Sequence, residues 1–283
     1  MARYRDVKGV TVFSSAWTGV QDVALNIEAE NFNSSGDDKD YIERIDVTKL
    51  FASLEISILD PSFKRDIYMP SFGSGSGADA LNEVLKASLS ENCDVIKDSS
   101  EADLWIVYLG ITKRMVEGNV ELRDISQLID ADGITVGHLD TFTFKVLKGA
   151  ATTAFNDPAQ SETLSIANAV ITSINTSEKH GDLASGTINF MGYGNPSDDP
   201  PTAGKIVTSD TGSVFDKHVG DSGTISFIAK AALGGTAGDK SISVINCVCT
   251  KVEITAQHGG RMERKFSFEA YSSDGSTSPI TIS

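Results

Sequence analysis

The sequence predicts a mainly β protein, an antiparallel sandwich or barrel-like fold with a small α/β insertion. Three observations support this. Apolar and polar residues alternate at period two in one segment after another, the signature of strands with one buried face. Clusters of Gly, Ser, Asn, Asp and Pro separate these segments, and the apolar runs between them are short. A length of 283 residues leaves room for one large β domain or two modest ones.

Taken in order, Val23, Leu25, Ile27 and Ala29 point one way while Asn26, Glu28 and Glu30 point the other. Residues 51–58 repeat the scheme, with Leu54, Ile56 and Ile58 set against Ser53, Glu55 and Ser57. Between the two segments, residues 31–40 read NFNSSGDDKD, a polar, acidic loop. After the glycine-serine run 73–77, Ser76 and Asp79 resemble a capping box. Leu81, Val84, Leu85 and Leu89 follow at helical spacing, so a helix is expected there. A second, shorter helix is expected over about 122–131 on Ile125, Leu128 and Ile129. Between them, the run LWIVYL at 104–109 reads as a strand buried on both sides.

Alternation returns with Phe142, Phe144 and Val146, then Ile225 with Phe227, Val252 with Ile254 and Phe266 with Phe268. The stretch 195–204 packs three prolines into ten residues and is the best boundary. The expected division is therefore a β domain from 1–61 and 134–195, an α/β insertion at 62–133, and a C-terminal β segment at 196–283.

That last segment repeats an earlier one. Shifting the chain by 78 positions aligns residues 164–193 with 242–271 without a gap, matching Asn168, Phe190 and Tyr193 to Asn246, Phe268 and Tyr271. A five-residue loop difference brings 141–144 onto 224–227, so the shared unit is expected to hold three strands. His180-Gly181 and His258-Gly259 fall at the same place in both copies, where a hairpin turn needs the positive φ that glycine supplies.

Composition and motifs argue against chemistry. The net charge is −15, which disfavours gripping nucleic acid, because grip comes from cations neutralising phosphates. It suits a conduit that must not hold what it carries, and it also suits plain solubility from a charged exterior, the reading that composition alone favours. No catalytic constellation, phosphate loop or zinc spacing is present, so no enzyme activity, cofactor or metal is expected. The pairs Asp37-Asp38 and Asp198-Asp199 lack the spaced oxygen ligands of a calcium loop. Cys93, Cys247 and Cys249 leave an odd thiol, and Cys247 and Cys249 share one strand face as small buried side chains. No run reaches the ~20 apolar residues of a membrane span, and no leader follows Met1, so the chain is expected to be soluble and made in the cytoplasm, with no membrane partner.

Residues 239–283 carry a strand, a His-Gly-Gly turn, a second strand, an aromatic end and a Ser-Asp-Gly-Ser-Thr-Ser-Pro tail. This segment resembles the closing part of tail tube proteins of long-tailed bacteriophages, and residues 10–60 resemble their opening strands more loosely. The resemblance implies a tail-tube fold whose copies close into rings around a lumen and stack into a conduit for DNA. It places the protein in the virion tail, with itself as chief partner and DNA as a transiting passenger. Tail sheath, tail terminator and baseplate proteins are further partners it implies. Asn31, Ser34, Gly36, Asp37, Asp38 and Asp40 become assembly-contact candidates. One tube domain per chain gives hexameric rings and two give trimers. With only the 80 residues from Gly204 onward for a second domain, six chains are expected. A capsid-decorating or tail-tip protein is the alternative.

Overall fold

A computed structural model describes residues 2–4, 7–34, 44–59, 63–73, 79–129, 134–148, 161–178, 184–193, 205–209, 217–230, 238–258, 260 and 262–283. The mainly β, antiparallel class is as expected. The strands run in chain order as β1 (Ala2–Tyr4), β2 (Val7–Val12), β3 (Ser15–Ala16), β4 (Val20–Ser34), β5 (Arg44–Leu59), β6 (Phe63–Phe72), β7 (Asp79–Ala80), β8 (Val84–Asp98) and β9 (Tyr108–Leu122). After the four-residue helix α1 (Ser126–Ile129) come β10 (Leu139–Lys148), β11 (Ser161–Ser177), β12 (Ser185–Gly192) and β13 (Ile206–Thr208). The last four are β14 (Ser222–Ala229), β15 (Lys240–Gln257), β16 (Glu263–Ala270) and β17 (Ile280–Ile282).

Strand pairing sorts these elements into two units of one design. In the flanking unit β4 pairs β5, β5 pairs β16, β16 pairs β15, β15 pairs β14 and β17, and β14 pairs β2. In the inserted unit β8 pairs β9, β9 pairs β12, β12 pairs β11, β11 pairs β10 and β13, and β10 pairs β6. The match extends to irregularities. The β4–β5 register slips between Val20 and Asp22 and again after Glu30, and β8–β9 slips between Val84 and Lys86 and again after Asp94, an offset of 64 residues each time. Asn168 and Asn246 both take φ near 53°, in the left-handed region that Asn tolerates better than most residues. The duplication read over three strands therefore covers eight, and the inserted unit sits wholly inside the flanking one.

This arrangement corrects several expectations. The segment 62–133 is no α/β insertion, because β6, β7, β8 and β9 fill it and supply the first half of the inserted unit. Where a helix is expected around Leu81, Val84, Leu85 and Leu89, the chain instead forms β7, a short connection and the start of β8, while Ser76 lies outside the described residues. Bulging between Val84 and Lys86 adds a residue, so the buried positions run Leu81, Val84, Ala87, Leu89, a spacing that imitates a helix turn. The second helix shrinks to α1, and Leu122 closes β9 instead. The run 104–109 is chiefly loop, with Trp105 and Ile106 buried but Leu104 and Tyr108 exposed. Pairing groups the chain differently from the division at 1–61 with 134–195, 62–133 and 196–283. The residues after Gly204 complete the flanking unit, so their shortness does not bear on the number of units.

One contiguous core runs through both units. In the inserted unit Phe72, Phe142 and Phe190 meet with ring centroids 4.5 to 5.4 Å apart. In the flanking unit Trp17 lies 4.7 Å from Phe266 and 6.4 Å from Phe268. Each buried Phe contributes about 1.5–3 kcal/mol by leaving water. Both tryptophans are buried. Cys247 and Cys249 are fully buried on one face; burial pushes the Cys247 thiol up to about 12 and Cys249 well above its ordinary value.

Candidate assembly interface

The two units are stitched together by one strand pair. The end of β15 adds antiparallel to β8, with Lys251 opposite Asn92, Ile254 opposite Leu89 and Gln257 opposite Lys86. The turn after β15 extends the seam, His258 donating its backbone N–H to Leu85 O at 2.8 Å. The four-stranded sheets β4-β5-β16-β15 and β8-β9-β12-β11 thereby become one continuous eight-stranded sheet.

Two buried polar clips lock this seam from the core side. Glu91 of β8 is only 3% exposed; its Oε1 accepts the Ile206 N–H at 2.6 Å and lies 2.9 Å from His218 Nδ1, and its Oε2 accepts the Val219 N–H at 3.1 Å. The carboxylate hydrogen bond holds the His218 pKa above its ordinary value, against the opposing effect of burial. Arg264 of β16 and Glu162 of β11 form the second clip. Arg264 Nη2 donates to both carboxylate oxygens, at 3.0 and 2.8 Å, with both residues at most 1% exposed, and Thr208 Oγ1 also donates to Glu162. Neither clip was foreseen, because their members lie far apart in sequence and no local spacing announces them.

A protruding arm completes the contact. Beyond the sheet, the far ends of β8 and β9 lie against the flanking unit, where Ile106, Leu109 and Val248 are buried together with Phe51, Val95, Ile111 and Tyr271 packed around them. Lys97 Nζ sits 2.7 Å from Glu269 Oε2 and 5.3 Å from the Phe51 ring centroid. The loop behind the arm docks as well. Leu50 donates to Leu104 O at 2.7 Å, and Leu104 and Trp105 both donate to Gly275 O at 2.9 Å. Gly275 belongs to the Ser-Asp-Gly-Ser-Thr tail, where the Asp274 carboxylate accepts from Ser276 N at 3.0 Å and from Thr277 N at 2.7 Å.

The duplication repeats both halves of this contact at the ends of the eight-stranded sheet, where most of each is uncovered among the described residues. The end of β11, residues 173–177, corresponds to the pairing end of β15 and has no strand on its outer side among the described residues. β4 corresponds to β8, and beyond Asn26 its outer edge is likewise open among the described residues. Side chains follow suit. Leu109 is 9% exposed, whereas its counterpart Ile45 is 61% exposed; Val47, counterpart of Ile111, is 50% exposed. Tyr193 matches the packed Tyr271 yet is half exposed, and Ile27 matches buried Glu91 yet is more than half exposed.

One face of the eight-stranded sheet is polar. Asp22, Glu55, Glu117, Glu121, Glu253 and Glu263 share it with Lys86, Lys251 and Lys265, interspersed with Ser57, Ser88, Ser90 and Asn119. Two troughs lie along it, one on each side of the seam, lined by polar groups.

Of the assembly-contact candidates, Asn31 lies exposed on β4 and Ser34 ends that strand. Gly36, Asp37, Asp38 and Asp40 lie outside the described residues. His258 is an exposed turn residue directly after β15; Gly259, His180 and Gly181 lie outside the described residues. Among the described residues no three His, Cys, Asp or Glu side chains converge as a metal site would need. No protein-family model matches this chain, and no match to a curated protein was found.

Proposed function

We propose that the protein is a structural subunit that assembles into rings stacked as a phage tail tube through which DNA passes. One observation carries this reading: the chain contains one finished copy of a unit-to-unit joint and displays both unmatched halves of a second. A head-to-tail contact of this kind is heterologous, so copies add until the rotation closes a ring. Closure pairs both outer edges of the eight-stranded sheet, which removes the exposed N–H and C=O groups that an open sheet must otherwise protect. The resemblance of 239–283 to tail tube proteins supplies the stacking and the cargo. The polar sheet face, with more carboxylates than lysines, supports a net negative wall that repels phosphate. Two tube-like units per chain favour three chains per ring, in place of six.

Equivalence fixes the register of the missing joint: Ser173 opposite Glu28, Ile174 opposite Ile27, and Asn175 opposite Asn26 of the next copy. Asn26→Cys combined with Asn175→Cys places both thiols on the polar face, at opposite ends of one chain. Oxidation should give a covalent ladder on a non-reducing gel that stops at three chains, with rings of uniform bore in negative stain. A protein that stays monomeric and unlinked at high concentration would sink the reading. Trimers that bind only capsid shells would favour a decoration protein.

A further inference from the structure

We propose that β1 is a removable cap on the edge of β4, standing in for the neighbouring copy until assembly displaces it. The inference rests on the ring reading and adds a control step to it. In the finished internal joint, Leu89, Ser88 and Ala87 of β8 are paired with Ile254, Thr255 and Ala256 of β15. Their counterparts on β4 are Leu25, Ala24 and Val23, and these are paired antiparallel with Ala2, Arg3 and Tyr4. The N-terminal strand thus occupies, position for position, the edge that a second copy's β11 would take. There the incoming partners would be Thr176, Ser177 and Glu178.

The cap is shorter than the strand it imitates. It pairs only three residues of β4, and among the described residues the edge from Asn26 onward is open. An arriving β11 can therefore seat Ser173, Ile174 and Asn175 against Glu28, Ile27 and Asn26 before touching the cap. Pairing then advances toward Val23 and peels β1 away one residue at a time, each backbone hydrogen bond lost being replaced by one gained. The edge is never left unpaired at those three positions, so the free subunit is protected from indiscriminate strand addition. The cost is a kinetic delay that a preassembled ring or initiator can overcome by presenting β11 in place.

Arg3 and Ala24 stand opposite each other in this register, at a separation across paired strands compatible with a disulfide. Arg3→Cys with Ala24→Cys should lose ring formation when oxidised and regain it on reduction, read by sedimentation and negative stain. Omitting residues 2–6 should lower the concentration at which rings appear by about tenfold, since the competing hydrogen bonds are gone. Equal assembly of oxidised and reduced double variant, or an unchanged threshold after omission, overturns the cap while leaving the ring reading intact. Failure of the reduced variant and the unaltered protein alike to form rings, with no Asn26→Cys/Asn175→Cys cross-link, overturns both.

Discussion

The Arg264–Glu162 pair costs desolvation on both sides, and each charge offsets part of the other's cost, so its halves are not independent. Glu162→Gln leaves the guanidinium buried without its counter-charge and should cost about 3–5 kcal/mol in chemical denaturation. Replacing both residues by apolar ones of similar size should restore most of that loss. His218 behaves differently, because it titrates. Its folded pKa is raised above the ordinary value of 6.5, so it binds its proton more tightly folded than unfolded. The stability it contributes is complete below pH 6.5 and is lost as pH rises through the raised value. Glu91 is the main cause, with Asp221 assisting and Lys205 opposing. Thermal scans from pH 6 to pH 8 should show a fall in midpoint that is blunted in His218→Gln. Gly275 is fixed by geometry: it has φ of 74°, and a Cβ there would run into the Asp103 side chain. Gly275→Ala should destabilise by about 1–3 kcal/mol and loosen the loop behind the arm.

At the level of elements, β-bulges explain both what is regular and what misleads. The bulge near Val84 converts a two-residue period into a three-residue step, and sequence periodicity then reads as a helix. The same bulge near Val20 does not mislead, because the long alternation from Val23 onward outweighs it. Where no bulge intervenes the alternation holds, as in β16, where Arg264, Phe266, Phe268 and Ala270 are buried and the residues between them are not. Phe266→Asp or Phe268→Asp would bury a carboxylate without a partner beside Trp17 and should abolish folding, checked by loss of near-UV circular dichroism. Lys265→Asp, one position away on the polar face, should leave the fold intact.

For the whole molecule, the unmatched faces are the feature to test. Ile174→Asp on β11 and Val47→Asp on β5 alter residues that the lone chain leaves partly or largely exposed. Val47→Asp should leave monomer stability within about 0.5 kcal/mol, Ile174→Asp should cost more because Ile174 packs against the core, and both should remove assembly, measured by sedimentation. Mixing the two variants should give heterodimers but no rings, since each supplies one intact half-joint and the ends cannot close. The corresponding change at Ile111, which packs inside the chain against Ile106, Leu109 and Val248, should instead weaken the fold itself.

The sequence alone determined the class, the inward residues of the later strands and the existence of a repeat, because strand alternation and gapless similarity are local properties. Tertiary structure decided that the repeat spans two whole units, one inside the other, and that β15 joins β8 across more than 150 residues of chain. Pairing partners so distant, and buried clips such as Glu91 with His218, are set by which edges meet in space. Periodicity records which way a side chain faces, and nothing in it records which strand lies alongside.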